Sequence, residues 1–128
     1  MARQTKRSKT ELEKLIMTVW YETKKGKLVE TDEQATVVKA IGKTVSYLKM
    51  ADYLDGTNHT DIFKKIYLNV LTERSNTNKV KISKQKTMAG FADGMYLSAP
   101  TLTVYTNKYI KCFGKYLSEP AFDTILID

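Results

Sequence analysis

Hydrophobic periodicity constrains the fold of this chain more than any other feature, because apolar residues recur at helical spacing through most of its length. Near the start, Leu12, Leu15, Ile16 and Val19 fall on one helical face. No series of alternating apolar and polar segments, as a sheet would require, accompanies this pattern. The sequence therefore predicts an all-α fold, a bundle of four to five helices with an extended basic N-terminal helical arm.

Two long helices are predicted in the first half of the chain. The first is expected from about residue 11 to 25, because Thr10 and Glu13 have the spacing of a capping box. The second is expected over residues 32–54 and would end at Gly56. At ~1.5 Å per residue it would be about 34 Å long, which makes it the spine of the bundle.

In the middle of the chain, the residue pattern predicts a third helix followed by a less regular segment. The helix is expected to begin near Thr60 and to turn four apolar side chains toward the core. These are Phe63, Ile66, Val70 and Leu71. After a polar loop, Val80 and Ile82 alternate with lysines, which allows a short strand, although we favour an irregular or helix-leading segment.

Three shorter signals predict the remaining helices. A weak helix is expected from Met88 to Met95, because glycines interrupt it. Pro100 and Pro120 each mark the first turn of another helix, where a missing backbone N–H costs nothing. We divide the chain into residues 1–27, the basic arm and first helix, and residues 28–128, the bundle domain.

Composition argues against several functional classes. Cys112 and His59 are each the only residue of their type, which excludes zinc sites built from clustered cysteines and histidines. No acid and base pair for catalysis emerges, so we expect no enzyme, no metal, no cofactor and no small-molecule substrate. No apolar run is long enough to span a bilayer, and no secretory signal follows the basic start. The chain is expected to remain inside a cell or to be assembled there.

The charge distribution points to a polyanion. Lysines and arginines exceed acids by seven, and residues 1–27 carry eight cations against three acids. Residues 74–86 carry five cations and no acid, whereas residues 117–128 carry three acids and no base. Clustered cations repel one another unless an anion lies against them, so this segregation favours a nucleic acid partner over a merely solvated surface.

Two segments combine cations with hydroxyl side chains, the groups that bind phosphate. One is the arm, and the other is the loop from residue 79 to 86. The residues predicted from this pattern to bind nucleic acid are Arg3, Lys6, Arg7, Lys9, Lys79, Lys81, Lys84 and Lys86. Ten extended residues of the arm would reach about 33 Å, far enough to lie along a duplex.

Aromatic residues are predicted to anchor packing, in the core or between subunits, because several recur at helical spacing. If the protein assembles, the candidate interface residues are Trp20, Tyr21, Tyr105, Tyr109, Phe113, Tyr116 and Phe122. Cys112 lies on the same stripe and is expected to be a small buried hydrophobe. His59 precedes a helix and is expected to cap it or contact solvent.

The chain resembles the α-helical coat proteins of filamentous and rod-shaped archaeal viruses. The resemblance rests on the length, on the arm MARQTKRSK leading directly into a helix, and on the run YTNKYIKCFGKYLSEPAFDTILID. It covers the outer thirds of the chain, and the loop at residues 79–86 has no counterpart. It implies an N-terminal helical arm that wraps double-stranded DNA, held in A-form in that family, with subunits that dimerise and stack into a filament.

The resemblance extends the predicted DNA contacts along the first helix. The added residues are Lys14, Lys24, Lys25 and Lys27. The leading hypothesis is therefore a virion coat subunit, assembled in the host cytoplasm, that binds double-stranded DNA without sequence preference. Its further partners would be other copies of itself or a paralogous subunit, and any membrane envelope would not be a direct contact.

The sequence is also compatible with functions of other classes. Residues 38–73 could form a helix-turn-helix of a DNA-binding regulator or phage accessory protein, with Lys64, Lys65 and Asn69 on the reading helix. The long preceding helix and the location of the richest charge disfavour it. A protein-only binding module and a small enzyme stay open as well. A coat protein contacting eight phosphates predicts a slope near −7 for log affinity against log salt.

Overall fold

The structure is a computed structural model that describes residues 7–25, 32–74 and 80–118. Within these ranges it confirms the all-α prediction, with one small hairpin between helices. The helices are α1 (Lys9–Lys24), α2 (Asp32–Asp55), α3 (His59–Phe63), continued by a π-helical segment (Lys64–Leu68), α4 (Met88–Gly94) and α5 (Ala99–Ser118). The strands are β1 (Leu71–Arg74) and β2 (Val80–Ser83).

Helix α1 begins two residues earlier than predicted. Its capping box is formed by Ser8 and Glu11, each side chain bonding the other residue's backbone N–H, at 3.1 and 2.8 Å. The prediction of Thr10 and Glu13 was wrong, although both pairs have the same spacing. Glu13 points into the interior instead, where it is 6% exposed.

Helix α2 matches its predicted bounds to within a residue and ends at Gly56, whose φ of +67° is the left-handed geometry that glycine adopts without strain. It packs most extensively against α5, and α1 lies across both. The fully buried side chains of this three-helix contact include Ile16 of α1, Val37 and Ile41 of α2, and Leu102, Tyr109 and Phe113 of α5.

The third helix differs from the prediction in its second half. Phe63 and Ile66 are buried as expected, but the helix widens at Lys64–Leu68 and then ends at Asn69. Leu71 is 39% exposed and lies in β1, paired antiparallel with Ser83 of β2. The preference for an irregular segment at Val80 was therefore wrong, and the strand that the alternation allowed is present.

The last described helices agree with the sequence. α4 spans Met88–Gly94 and buries Phe91 and Ala92, and α5 begins at Ala99 and continues to Ser118. The short helix predicted at Pro120 lies outside the described residues. No helix in the described ranges is both long and apolar enough to cross a membrane.

Candidate nucleic-acid interface

The fold brings together two cationic segments that are far apart in the sequence. Lys14 and Thr10 of α1 face β2 and the loop that follows it, across a hollow of about 530 Å³. The hollow is also lined by Lys81, Ser83, Lys84, Lys86 and Thr87. Lys14, Lys81 and Lys86 are exposed, so their ammonium groups can reach an anion. We call this surface the basic hollow.

A buried carboxylate holds the two sides of the basic hollow together. Glu13 Oε2 accepts a hydrogen bond from the Tyr67 hydroxyl at 2.5 Å and contacts Lys84 Nζ at 3.0 Å. The Lys84 ammonium also lies 5.7 Å from the centre of the Tyr67 ring. Burial raises the pKa of Tyr67 far above its usual range, and the bond to Glu13 raises it further.

This contact involves one of the predicted phosphate ligands. Lys84 pairs with Glu13 within the protein, with 25% of its side chain exposed, and its binding to phosphate stays a prediction. Its role is to fix the loop after β2 against α1 and the π-helical segment. The neighbouring lysines, Lys81 and Lys86, are thereby held on the same side of the molecule.

The Lys86 side chain passes close to two glycines of α4. A Cβ at Gly90 would meet the Lys86 Cβ at 3.2 Å, and one at Gly94 would lie 3.8 Å from the Lys86 Nζ. The Lys86 side chain therefore runs over a glycine-lined surface that a larger residue would obstruct at Gly90. Their GxxxG spacing carried no functional prediction, yet a side chain at Gly90 would press on a cation of the basic hollow.

Arg7 and Lys9, the two predicted ligands of the arm that the structure describes, both have internal contacts. Lys9 Nζ donates a hydrogen bond to Thr106 Oγ1 at 2.9 Å and is half-buried, so it ties α1 to α5. The Arg7 guanidinium lies 3.7 Å from Glu33 at an exposed site, where such a pair contributes little stability. Predicted phosphate ligands outside the described residues are Arg3, Lys6, Lys27 and Lys79.

The C-terminal end of α1 forms a second surface, separate from the basic hollow. Lys24 and Trp20 line an open cleft of about 490 Å³ with an apolar floor, and Lys64 and Asn69 line its opposite side. Lys25 is exposed and lies 5.3 Å over the Tyr21 ring. The structure thus places the predicted cations of α1 in two groups rather than on one continuous face.

The same cleft contains the residues of the helix-turn-helix hypothesis. Lys64, Lys65 and Asn69 lie on or just after the π-helical segment, but Lys65 Nζ contacts Asp61 at 3.0 Å. The reading helix would include only α3 and its π-helical continuation, since Asn69 ends it. A base-reading helix at this position would therefore have fewer side chains to contact bases than the sequence suggested.

The predicted interface aromatics divide into core and partly exposed residues. Tyr109 and Phe113 are fully buried in the single chain, so the prediction that they contact another subunit was wrong. They point inward because α5 packs this face against α2 and α1. Trp20, Tyr21, Tyr105 and Tyr116 are half-buried. Phe122 lies outside the described residues.

His59 belongs to a cluster of side chains that joins α3 to α2 and α5. Its Nδ1 lies 2.5 Å from the Tyr109 hydroxyl, and its ring packs edge-on against Tyr105, with centroids 4.7 Å apart. Asp52 accepts hydrogen bonds from the backbone N–H groups of His59 and Thr60, at 2.8 and 2.9 Å. The cluster thus caps α3 and fixes it to α2 and α5.

Sequence reasoning missed an exposed apolar stripe on α2. Tyr47, Met50 and Leu54 follow i, i+3, i+7 spacing and are 46%, 61% and 71% exposed. The same periodicity that located the core face of α2 could have identified this second face.

No protein-family model matches the sequence, and no curated protein or solved structure shows significant similarity to the chain.

Proposed function

We propose that this protein is a structural nucleoprotein, a coat subunit that binds double-stranded DNA through its phosphates and assembles along it. The supporting observation is the basic hollow, where Lys14 is joined by Lys81 and Lys86 from a distant part of the chain. Hydroxyl groups of Thr10, Ser83 and Thr87 lie among these ammonium groups, as in surfaces that bind phosphate without reading bases.

The charge of the chain suits continuous coating. Duplex DNA carries one charge per roughly 1.7 Å, so a net charge of +7 balances about 12 Å of duplex axis per subunit. Two subunits would balance about 24 Å. A protein that recognises a single operator would have no need to match the charge of the duplex in this way.

The decisive experiment combines footprinting with electron microscopy of the purified protein on linear duplex DNA. We expect protection of all sequences with a regular period, and uniform filaments. Protection of one short sequence would favour the regulator instead. No protection in dilute buffer would contradict the proposal.

Salt dependence gives a quantitative test. Five predicted DNA ligands are exposed in the structure, and among the described residues they form none of the ion pairs or hydrogen bonds that engage Arg7, Lys9 and Lys84. They are Lys14, Lys24, Lys25, Lys81 and Lys86. At about 0.9 per phosphate contact, these alone predict a slope of roughly −4 to −5, and any contacts from the rest of the arm would make it steeper. A slope shallower than about −2 would contradict phosphate-dominated binding.

A further inference from the structure

The C-terminal half of α2 presents an unpartnered apolar face. Tyr47, Met50, Tyr53 and Leu54 are 46%, 61%, 86% and 71% exposed. The described residues include six large hydrophobic side chains exposed to this degree, and four of them lie within these two turns. Such concentration on one helix marks a contact surface rather than scattered surface residues.

This face is separate from the one that builds the core. Ile41, Thr44 and Leu48 of the same helix are buried, and they point roughly a third to a half of a turn away from Met50. The core of the chain therefore forms without the exposed stripe. A helix with two apolar faces has one face left for another helix of matching chemistry.

The two tyrosines of the stripe are placed symmetrically about Met50 along the helix. Met50 lies at the centre, with Tyr47 three residues before it and Tyr53 three residues after it. If a second copy of α2 runs antiparallel, Met50 meets Met50 of that copy, and each Tyr47 lies level with a Tyr53. This reciprocity is what a two-fold interface requires, and methionine packs well against aromatic rings.

Charge along α2 also favours the antiparallel direction. The last turn of α2 carries Asp52 and Asp55 and no base, so these acids and the helix dipole together make the C-terminal end of α2 negative. With Met50 opposite Met50, antiparallel pairing places the two negative ends at opposite ends of the contact. Parallel pairing would bring the acidic ends together and align the two dipoles.

The area of the stripe is sufficient for a specific contact. Two tyrosines, a methionine and a leucine exposed to this extent present roughly 500 Å² per copy. Complete coverage of these side chains on both copies would bury at most roughly 1,000 Å², the size at which specific interfaces begin. We propose that two copies of this chain pair through antiparallel contact of their α2 helices, centred on Met50. The inference rests on the proposed function and deepens it by naming the contact between subunits.

The first test is sedimentation equilibrium of the full chain without DNA, so that its outcome is independent of DNA binding. We expect a dimer, and we expect Met50→Asp to raise the dissociation constant by about thirtyfold or more, as for a central interface residue. Lys49→Asp introduces the same side chain on the adjacent, outward position and should leave the mass unchanged. A monomeric wild type, or a Met50→Asp variant that dimerises normally, would overturn the proposal.

Cysteine cross-linking tests the direction of the helices. In a Cys112→Ser background, Met50→Cys should form a covalent dimer under mild oxidation, whereas Lys49→Cys should not. With a short bis-maleimide, Tyr47→Cys mixed with Tyr53→Cys should cross-link more readily than Tyr47→Cys alone. Stronger cross-linking of Tyr47→Cys to itself would show a parallel pair and contradict the antiparallel arrangement.

Discussion

The ammonium of Lys84 lies 3.0 Å from the carboxylate of Glu13, joining two residues 71 positions apart in the chain. The carboxylate is almost completely buried and also accepts the Tyr67 hydroxyl. One acid therefore links α1, the π-helical segment and the loop after β2. This contact determines where the lysines of that loop are presented, so it connects the stability of the fold to the proposed DNA-binding surface.

Removing Glu13 should destabilise the protein substantially. We expect Glu13→Ala to lower the free energy of unfolding by about 2–3 kcal/mol, because it leaves the Tyr67 hydroxyl and the Lys84 ammonium without their acceptor. Lys84→Ala should cost less, since Lys84 is partly exposed. Urea unfolding of both single variants and the double variant gives the coupling energy, and strictly additive effects would show that the pair does not interact in solution.

The lysines of the basic hollow should contribute individually to DNA binding. Lys81→Gln and Lys86→Gln should each reduce the steepness of the salt slope by about 0.9, because each removes one phosphate contact. Lys108→Gln, on the exposed side of α5, provides a control of equal charge change and should leave the slope unaltered. Fluorescence anisotropy with a labelled duplex measures all three, and equal slopes for every variant would exclude the basic hollow as the contact surface.

The start of α1 can be tested by comparing its two candidate caps. Ser8→Ala should cost about 1 kcal/mol of unfolding free energy, because the Glu11 N–H loses its acceptor. Thr10→Ala should change stability by less than about 0.5 kcal/mol, since Thr10 is exposed inside the first turn. Thermal or urea unfolding distinguishes the two variants. The reverse order would mean that the helix begins at Thr10.

Asp52 should make stability sensitive to acid. Burial opposes its ionisation, but hydrogen bonds from the Thr57 hydroxyl and from Thr60 outweigh it and hold the pKa of Asp52 well below its usual range. Because the folded pKa is lower than the unfolded value of ~3.9, this stabilisation is complete above about pH 4. It is lost as pH falls further.

The corresponding variant is Asp52→Asn. It should lower the free energy of unfolding by about 1 kcal/mol at pH 7, with a smaller difference from wild type below pH 4. Asp55→Asn, in the same exposed turn, is the matched control. A difference that stays constant between pH 7 and pH 3 would rule out ionised Asp52 as the cause.

Tyr67 and Tyr109 should resist alkaline ionisation. Burial raises the pKa of both hydroxyls above the usual value of ~10. Their contribution to stability is complete below about pH 10 and is lost as the pH rises toward their folded pKa values. Ultraviolet titration of the eight tyrosines should therefore show a delayed fraction that ionises only with unfolding. Tyr67→Phe should reduce this fraction, and complete ionisation of the native protein near pH 10 would contradict the burial.

The elements that the sequence predicted well are those with strong local signals. Helix α2 was located to within a residue, because apolar spacing and Gly56 act within the segment itself. The third helix was overextended, because Val70 and Leu71 fit a helical face equally well. Only the pairing of this segment with the one around Ile82, a contact between distant residues, selected the strand.

The sequence by itself determined that the chain is helical and that its cations are clustered, since both follow from the order of nearby residues. The tertiary structure decided which of those cations face solvent and which are satisfied inside the protein. Lys14 and Lys81 meet on one surface, whereas Lys84 is bound by Glu13. It also placed Tyr109 in the core and left Met50 exposed. Periodicity identifies an apolar face, but only packing against other helices decides whether that face is already covered.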